Sequence, residues 1–230
     1  MGDGKPDRNP TPQLALELPV EPSFRREDFL PAPSNRAALE MIDQWPNWPD
    51  NALLLVGPPG SGKSHLLAIW ARKAAARIFS REVPPAEFLA GEKFAALGID
   101  DVDRCGSEPA LFHLINFARE NSVFLLMTAS SRPRAEHWRL PDLLSRLRRA
   151  PVAEIEAPDD ELMRAAMEKM FRDRQLLVDP WLIDYVALRL ERSLEAARAF
   201  VEEADREALA RGRPVTRALA AELIARREES

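Results

Sequence analysis

The sequence predicts an α/β chain in which a three-layer domain built on a parallel sheet is followed by a small helical domain. Three observations carry that prediction. An apolar run at 52–56 leads straight into Gly57-Pro58-Pro59-Gly60-Ser61-Gly62-Lys63-Ser64 and then into a segment with helical periodicity. Apolar runs then alternate with helical patterns up to about residue 158, as crossover helices between parallel strands require. Beyond that point only helical patterns remain. The switch near Pro158 sets the expected boundaries: a disordered tail at 1–22, the α/β domain at 23–158 and the helical domain at 159–230.

Each element has its own signal. Ser34 is placed to cap a helix over about 35–45, with Leu39 and Ile42 facing inward. Trp45-Pro46-Asn47-Trp48-Pro49 ends it. Residues 52–56 read as a strand buried on both faces, and Leu66, Leu67, Ile69, Trp70 and Ala74 mark a helix over 65–77. Ile78-Phe79 is a short second strand, broken by Val83-Pro84-Pro85. The run 94–99 is the next strand and ends in Asp100-Asp101. Ser107 caps a helix to about residue 120, whose inner face is Leu111, Leu114, Ile115 and Ala118. A strand at 123–127, a short helix at 141–148 and a last strand at 152–155 complete the domain. Four helices follow, at about 159–173, 180–191, 193–211 and 216–227.

Composition narrows the functional classes. With 230 residues and 46% hydrophobic content, the chain can build real cores. No apolar run reaches membrane-spanning length, and the polar, proline-rich start is not expected to be a secretory signal. Cys105 is the single cysteine, so an internal disulfide is excluded and a reducing cytoplasm is expected. His65, His113 and His137 lack metal-binding spacing. Net charge is −5, and Arg146, Arg148 and Arg149 form only a short basic cluster, so any contact with DNA is expected to run through a partner.

The glycine-rich stretch fits G-x-x-x-x-G-K-[ST] at every fixed position, between a strand and a helix start. That context aims backbone N–H groups and the positive end of a helix dipole at a polyphosphate. A bound ADP or ATP with Mg²⁺ is therefore expected. Gly57, Pro58, Pro59, Gly60, Ser61 and Gly62 would wrap the phosphates, with His65 next along. Lys63 would neutralise their charge, and Ser64 would ligate the metal. Asp100, ending the strand after the loop helix, is the second carboxylate needed to hold Mg²⁺ opposite Ser64, and Asp101 is placed to polarise an attacking water. Thr128 and Ser130 follow the next strand and are either sensors of the terminal phosphate or hydroxyls that cap the loop. Arg146 precedes the last strand, where a guanidinium can leave its own subunit and reach a neighbour's nucleotide.

The order of these motifs resembles the AAA+ module of the bacterial initiator DnaA over about residues 23–225. The resemblance rests on Phe24, Phe29, Ser34 and Asn35 ahead of 57–64, then Ile99-Asp100-Asp101, 128–133 and Leu144-Ser145-Arg146-Leu147. It implies a P-loop AAA+ domain with a helical lid, an adenine enclosed by Phe29, Leu30 and Asn35, and Arg146 as an arginine finger. It also implies a second sensor arginine, for which Arg192 and Arg198 both stand. The segment between the loop helix and the Asp100 strand is shorter than in the initiator, and no origin-reading helix-turn-helix follows the helical domain. Weak or absent autonomous hydrolysis is expected, because Ser130 stands where an acidic or amide sensor is usual.

One further segment selects among DnaA relatives. Gln13-Leu14-Ala15-Leu16-Glu17-Leu18-Pro19 lies in the polar tail. In extended form Leu16 and Leu18 share one side as anchors while Gln13 hydrogen-bonds at a rim. It resembles the peptide that docks on the bacterial sliding clamp, the alternative being a short edge strand on the domain. Together these features resemble the Hda-type regulatory inactivators of DnaA. That resemblance implies clamp and DnaA as partners, with a homo-oligomer allowed. The alternative is a DnaA-like adaptor or helicase loader; a small-molecule kinase lacks a second phosphoacceptor-binding segment.

Overall fold

A computed structural model describes residues 24–228. The Gln13–Pro19 peptide lies outside the described residues. After a short arm, helix α1 (Arg36–Asp43) leads to strand β1 (Ala52–Val56), helix α2 (Lys63–Ala74) and strand β2 (Arg77–Ser80). Helix α3 (Ala86–Gly91), strand β3 (Ala96–Asp100), helix α4 (Glu108–Glu120) and strand β4 (Phe124–Ala129) follow. Helix α5 (Pro141–Arg149) and strand β5 (Val152–Glu154) close the α/β part, and α6 (Asp160–Asp173), α7 (Pro180–Ala187), α8 (Leu194–Arg211) and α9 (Arg217–Glu228) form a helical bundle.

The strands form one sheet in the order β2-β3-β4-β1-β5, and every pair is parallel. Alternation divides their side chains between two cores. Leu53 and Leu55 of β1 join Leu66, Leu67 and Trp70 of α2 with Leu39 and Ile42 of α1 on one face. Leu54 and Val56 join Leu111 and Leu114 of α4 with Leu143 and Leu147 of α5 on the other. Burial on both faces is why these strands read as unbroken apolar runs. A third core, around Met163, Met167, Phe171, Phe200, Val201 and Leu223, belongs to the helical bundle.

Some local expectations change. Ser34 does not cap α1: Asn35 holds that position, and the buried Ser34 hydroxyl has no partner. Asn35 turns its side chain back onto the arm, accepting from Ala32 N–H at 2.9 Å and donating to Leu30 O at 2.9 Å. The breaker at Val83-Pro84-Pro85 is followed by a short helix that the sequence reading left out, α3, with Pro85 at its start. The Ser107 cap is present, its hydroxyl accepting from Ala110 N–H at 3.3 Å. Inserting β4 between β1 and β3 brings the ends of those strands together at one edge, and the candidate residues gather there.

Candidate functional site

The loop between β1 and α2 can be built only with glycine at its bends. Gly60 and Gly62 have φ of +67° and +104°, where a side chain is strained. At Gly57 a Cβ would lie 2.4 Å from Ile155 O, the chain just past β5. The loop turns tightly enough that α2 begins at Lys63, two residues earlier than its apolar pattern indicates. Its first N–H groups therefore open onto the loop with the positive end of the helix dipole. The Lys63 ammonium is buried and donates to Gly57 O at 2.8 Å and Pro58 O at 2.9 Å. Burial pulls its pKa down, opposed by the negative charges of Asp101, Asp100 and Asp103. The buried Ser61 hydroxyl has no partner.

Three side chains from three elements meet beside Lys63. Ser64 Oγ donates to Asp100 Oδ2 at 2.8 Å, and Thr128 Oγ1 donates to Asp100 Oδ1 at 2.6 Å. The same Thr128 oxygen accepts from Asp101 N–H at 2.8 Å. Thr128 is fully buried and fixes the turn that carries both aspartates. Asp101, at φ +56°, directs its carboxylate to Arg81 Nε at 3.1 Å. Ser64 and Asp100 are hard oxygen donors in contact, a pair that suits Mg²⁺ completed by phosphate and water. Among the described residues no group of three or more acidic, histidine or cysteine side chains forms a metal cage, so the ion would depend on the phosphates.

Two cavities, each of about 340 Å³, open around this centre. The first is lined by loop residues Pro59 to Ser64 in part, with Arg81, Asp100, Asp101, Arg104, Ser130 and Glu195. The second is lined by Phe29, Leu30 and Asn35 of the arm and by Leu162, Ala166, Lys169 and Met170 of α6. Gly62, His65, Leu194 and Arg198 border both, so they form one bipartite space of the size that accommodates a nucleotide. His65 fastens the arm to α2. Phe24 and Phe29 meet its ring edge-on, at centroid distances of 5.4 and 5.3 Å, and its Nε2 lies 3.0 Å from Arg25 O. Burial pushes the imidazole pKa below its ordinary value, which favours the neutral ring with Nε2–H donating.

The remaining candidates separate. Arg198 lines both cavities, whereas Arg192 lines neither and pairs with Asp160 at 2.9 Å. Ser130 borders the loop-side cavity, with its hydroxyl and N–H both bonded to Asp103. Thr128 lies behind Asp100 and lines neither cavity. Arg146 also lies outside both, half-buried at a small recess of about 30 Å³ beside Arg119, Arg149 and Asp50. Sequence reading missed Arg81, Arg104, Lys169 and Glu195. Sheet register accounts for Arg81: Ser80 pairs with Asp100, so the residue after β2 emerges beside Asp101.

The bundle is docked directly on the loop. Leu194 N–H at the start of α8 donates to Gly60 O at 2.8 Å, and a Cβ on Gly60 would come within 1.9 Å of Ser193 Oγ.

No protein-family model matches the sequence. Solved structures share the fold. Domain III of the Thermotoga maritima replication initiation protein DnaA superposes with a TM-score of 0.75 at 23% identity, covering 89% of this chain and 97% of that one. The replication initiator DnaA bound to AMPPCP and single-stranded DNA gives 0.67 at 19% identity, over 84% of this chain and 69% of that one. The Thermotoga maritima RuvB Holliday junction branch migration motor gives 0.61 at 18% identity, over 76% of this chain and 61% of that one. The likeness is one of fold: an α/β part on a five-stranded parallel sheet.

Proposed function

We propose that this chain is a DnaA-like AAA+ regulator of chromosome replication initiation. It binds ADP or ATP with Mg²⁺, is held on the DNA-loaded sliding clamp by Gln13, Leu14, Leu16, Leu18 and Pro19, and stimulates hydrolysis of DnaA-bound ATP. The observation that carries the reading is the separate placement of a cavity and an arginine within one fold. A bipartite cavity joins the glycine loop to the Phe29–Asn35 arm, while Arg146 stands outside that cavity on α5.

In this reading the base lies between the arm and α6, and the phosphates lie over Gly60 to Ser64. Lys63 then leaves the Gly57 and Pro58 carbonyls for phosphate oxygens, a stronger charge-assisted contact. Ser64 and Asp100 would hold the Mg²⁺, which would supply positive charge against the phosphates. Arg198 reaches the same space from α8. The chain's own hydrolysis is weak or absent in this reading, with Ser130 at the sensor position and Arg81 drawing on the carboxylate of Asp101. Arg146 cannot serve its own nucleotide from the recess by α4; it serves a neighbour's, adding guanidinium charge in the transition state. DNA is met through the clamp, and the working compartment is the cytoplasm. Among the described residues no helix is long and apolar enough to cross a membrane.

The test is hydrolysis of DnaA-bound ATP with DNA-loaded clamp, with and without this protein. Wild type is expected to accelerate it and Arg146→Ala to lose most of that acceleration while still binding nucleotide and clamp. Arg146→Lys should rescue little, because an ammonium lacks the planar fork of donors. Full stimulation by Arg146→Ala would pass the role to Arg148 or Arg149. No stimulation by wild type would favour an adaptor or helicase loader. Separately, ADP should raise the melting temperature of wild type and leave Lys63→Ala unmoved.

A further inference from the structure

The arm that walls the outer cavity is tied down on both sides. Toward the α/β domain it is pinned by His65, through two edge-on rings and Arg25 O. Toward the bundle it is pinned by an ion pair: Lys169 Nζ on α6 lies 2.7 Å from Asp28 Oδ1, at the end of the turn just before Phe29. Lys169 also donates to Asp173 Oδ2 at 2.7 Å on its own helix. Asp28, Lys169 and Asp173 all line the outer cavity. Both partners of the crossing pair are largely shielded, at 27% and 20% side-chain exposure, so water and salt screen it less than a surface pair. The end of α6 is itself held rigid, with Arg174 bonded to Glu202 of α8 at 3.1 Å.

We propose that the Asp28–Lys169 pair is a latch between arm and bundle that sets how fast a nucleotide leaves the cavity. This rests on the nucleotide reading above. In that reading the base lies between Phe29–Leu30 on the arm and Leu162, Ala166 and Met170 on α6, so parting those walls loosens its seat and speeds its exit. Parting them breaks the crossing ion pair, whereas the Lys169–Asp173 pair moves with its helix. Removing the Lys169 charge takes away the attraction that spans the gap to Asp28. Asn35 braces the arm's turn, bonded at both Leu30 and Ala32.

The experiment measures release of ADP carrying a methylanthraniloyl label on the ribose, chased by excess ADP in stopped flow, together with amide hydrogen exchange over residues 28–32 without nucleotide. Release is expected about three- to tenfold faster in Lys169→Met and in Asp28→Asn, near wild type in Lys169→Arg, and unaccelerated in Asp173→Asn. Exchange over the arm should rise in the same two variants in the absence of any nucleotide. Wild-type release rates in both variants, or equal acceleration in Asp173→Asn, would overturn the latch. Unchanged arm exchange would overturn it too. Failure of the wild type to bind the labelled ADP would instead overturn the nucleotide reading, with the exchange measurement still deciding whether the pair holds the arm.

Discussion

Leu194 donates its backbone N–H to the carbonyl of Gly60 at 2.8 Å, joining the first turn of a bundle helix to the middle of the glycine loop. The contact permits no side chain at residue 60. Gly60→Ala combines a φ of +67° with a methyl directed at Ser193, so it should destabilise the fold by about 1–3 kcal/mol. Urea denaturation measures the loss. Because the same change disturbs the start of α8, nucleotide affinity should fall with it.

Thr128 stands behind the two aspartates with one hydroxyl serving both. Thr128→Val keeps the shape but leaves the Asp101 N–H and one Asp100 oxygen without their partner. The expected cost is about 1–3 kcal/mol, since a buried polar group left unpaired loses more than an ordinary hydrogen bond contributes. Thr128→Ser, which keeps the hydroxyl, should recover most of that stability in the same assay.

His65 makes stability depend on pH in a definite direction. Its pKa in the folded chain is lowered by burial from the ordinary 6.5, so between those two values the unfolded chain binds the extra proton. Stability from the neutral ring is therefore complete above pH 6.5 and is lost as pH falls below it. The urea midpoint of wild type should drop between pH 7.5 and pH 5.5 more than that of His65→Phe. Equal drops in the two proteins would assign the pH dependence elsewhere.

Replacing Gln13, Leu16 and Leu18 with alanine should eliminate capture by immobilised sliding clamp while the ADP-induced rise in melting temperature stays intact. The tail peptide and the glycine loop are separate in the chain, so their contributions should be nearly additive. A triple variant that binds the clamp like wild type would remove the tether from the proposed function.

Arg146 shows how far sequence alone reaches. Its place on a helix before the last strand was legible from the Leu143, Leu144 and Leu147 spacing, because that periodicity is local. Its half-buried seat beside Arg119 was not, since α4 lies far away in the chain. The same distinction separates Lys63, Ser64 and Asp100, which strand ends announce, from Arg81 and Lys169, which only sheet order and helix packing bring to the cavity. Thr128 is an intermediate case. Its strand was clear, but pattern alone left it between a phosphate sensor and a hydroxyl capping the loop; alternation along β4 directs its hydroxyl to the Asp100–Asp101 turn. Arg192 and Arg198 could not be ranked by pattern; in the fold Arg198 lines the cavities and Arg192 does not.

Helix α8 begins where it touches the glycine loop and runs for 18 residues before Gly212 ends it. At 1.5 Å per residue it is a rod of about 27 Å, so a tilt of about 10° at the Gly60 contact carries its far end about 5 Å. That far end is not loose: Arg211 grips Glu222 of α9 through two hydrogen bonds, of 2.8 and 2.9 Å. Any tilt of α8 at the loop would therefore carry α9 with it. One rigid element thus spans the distance from the glycine loop, at the Leu194–Gly60 contact, to the Arg211–Glu222 contact at the far side of the bundle.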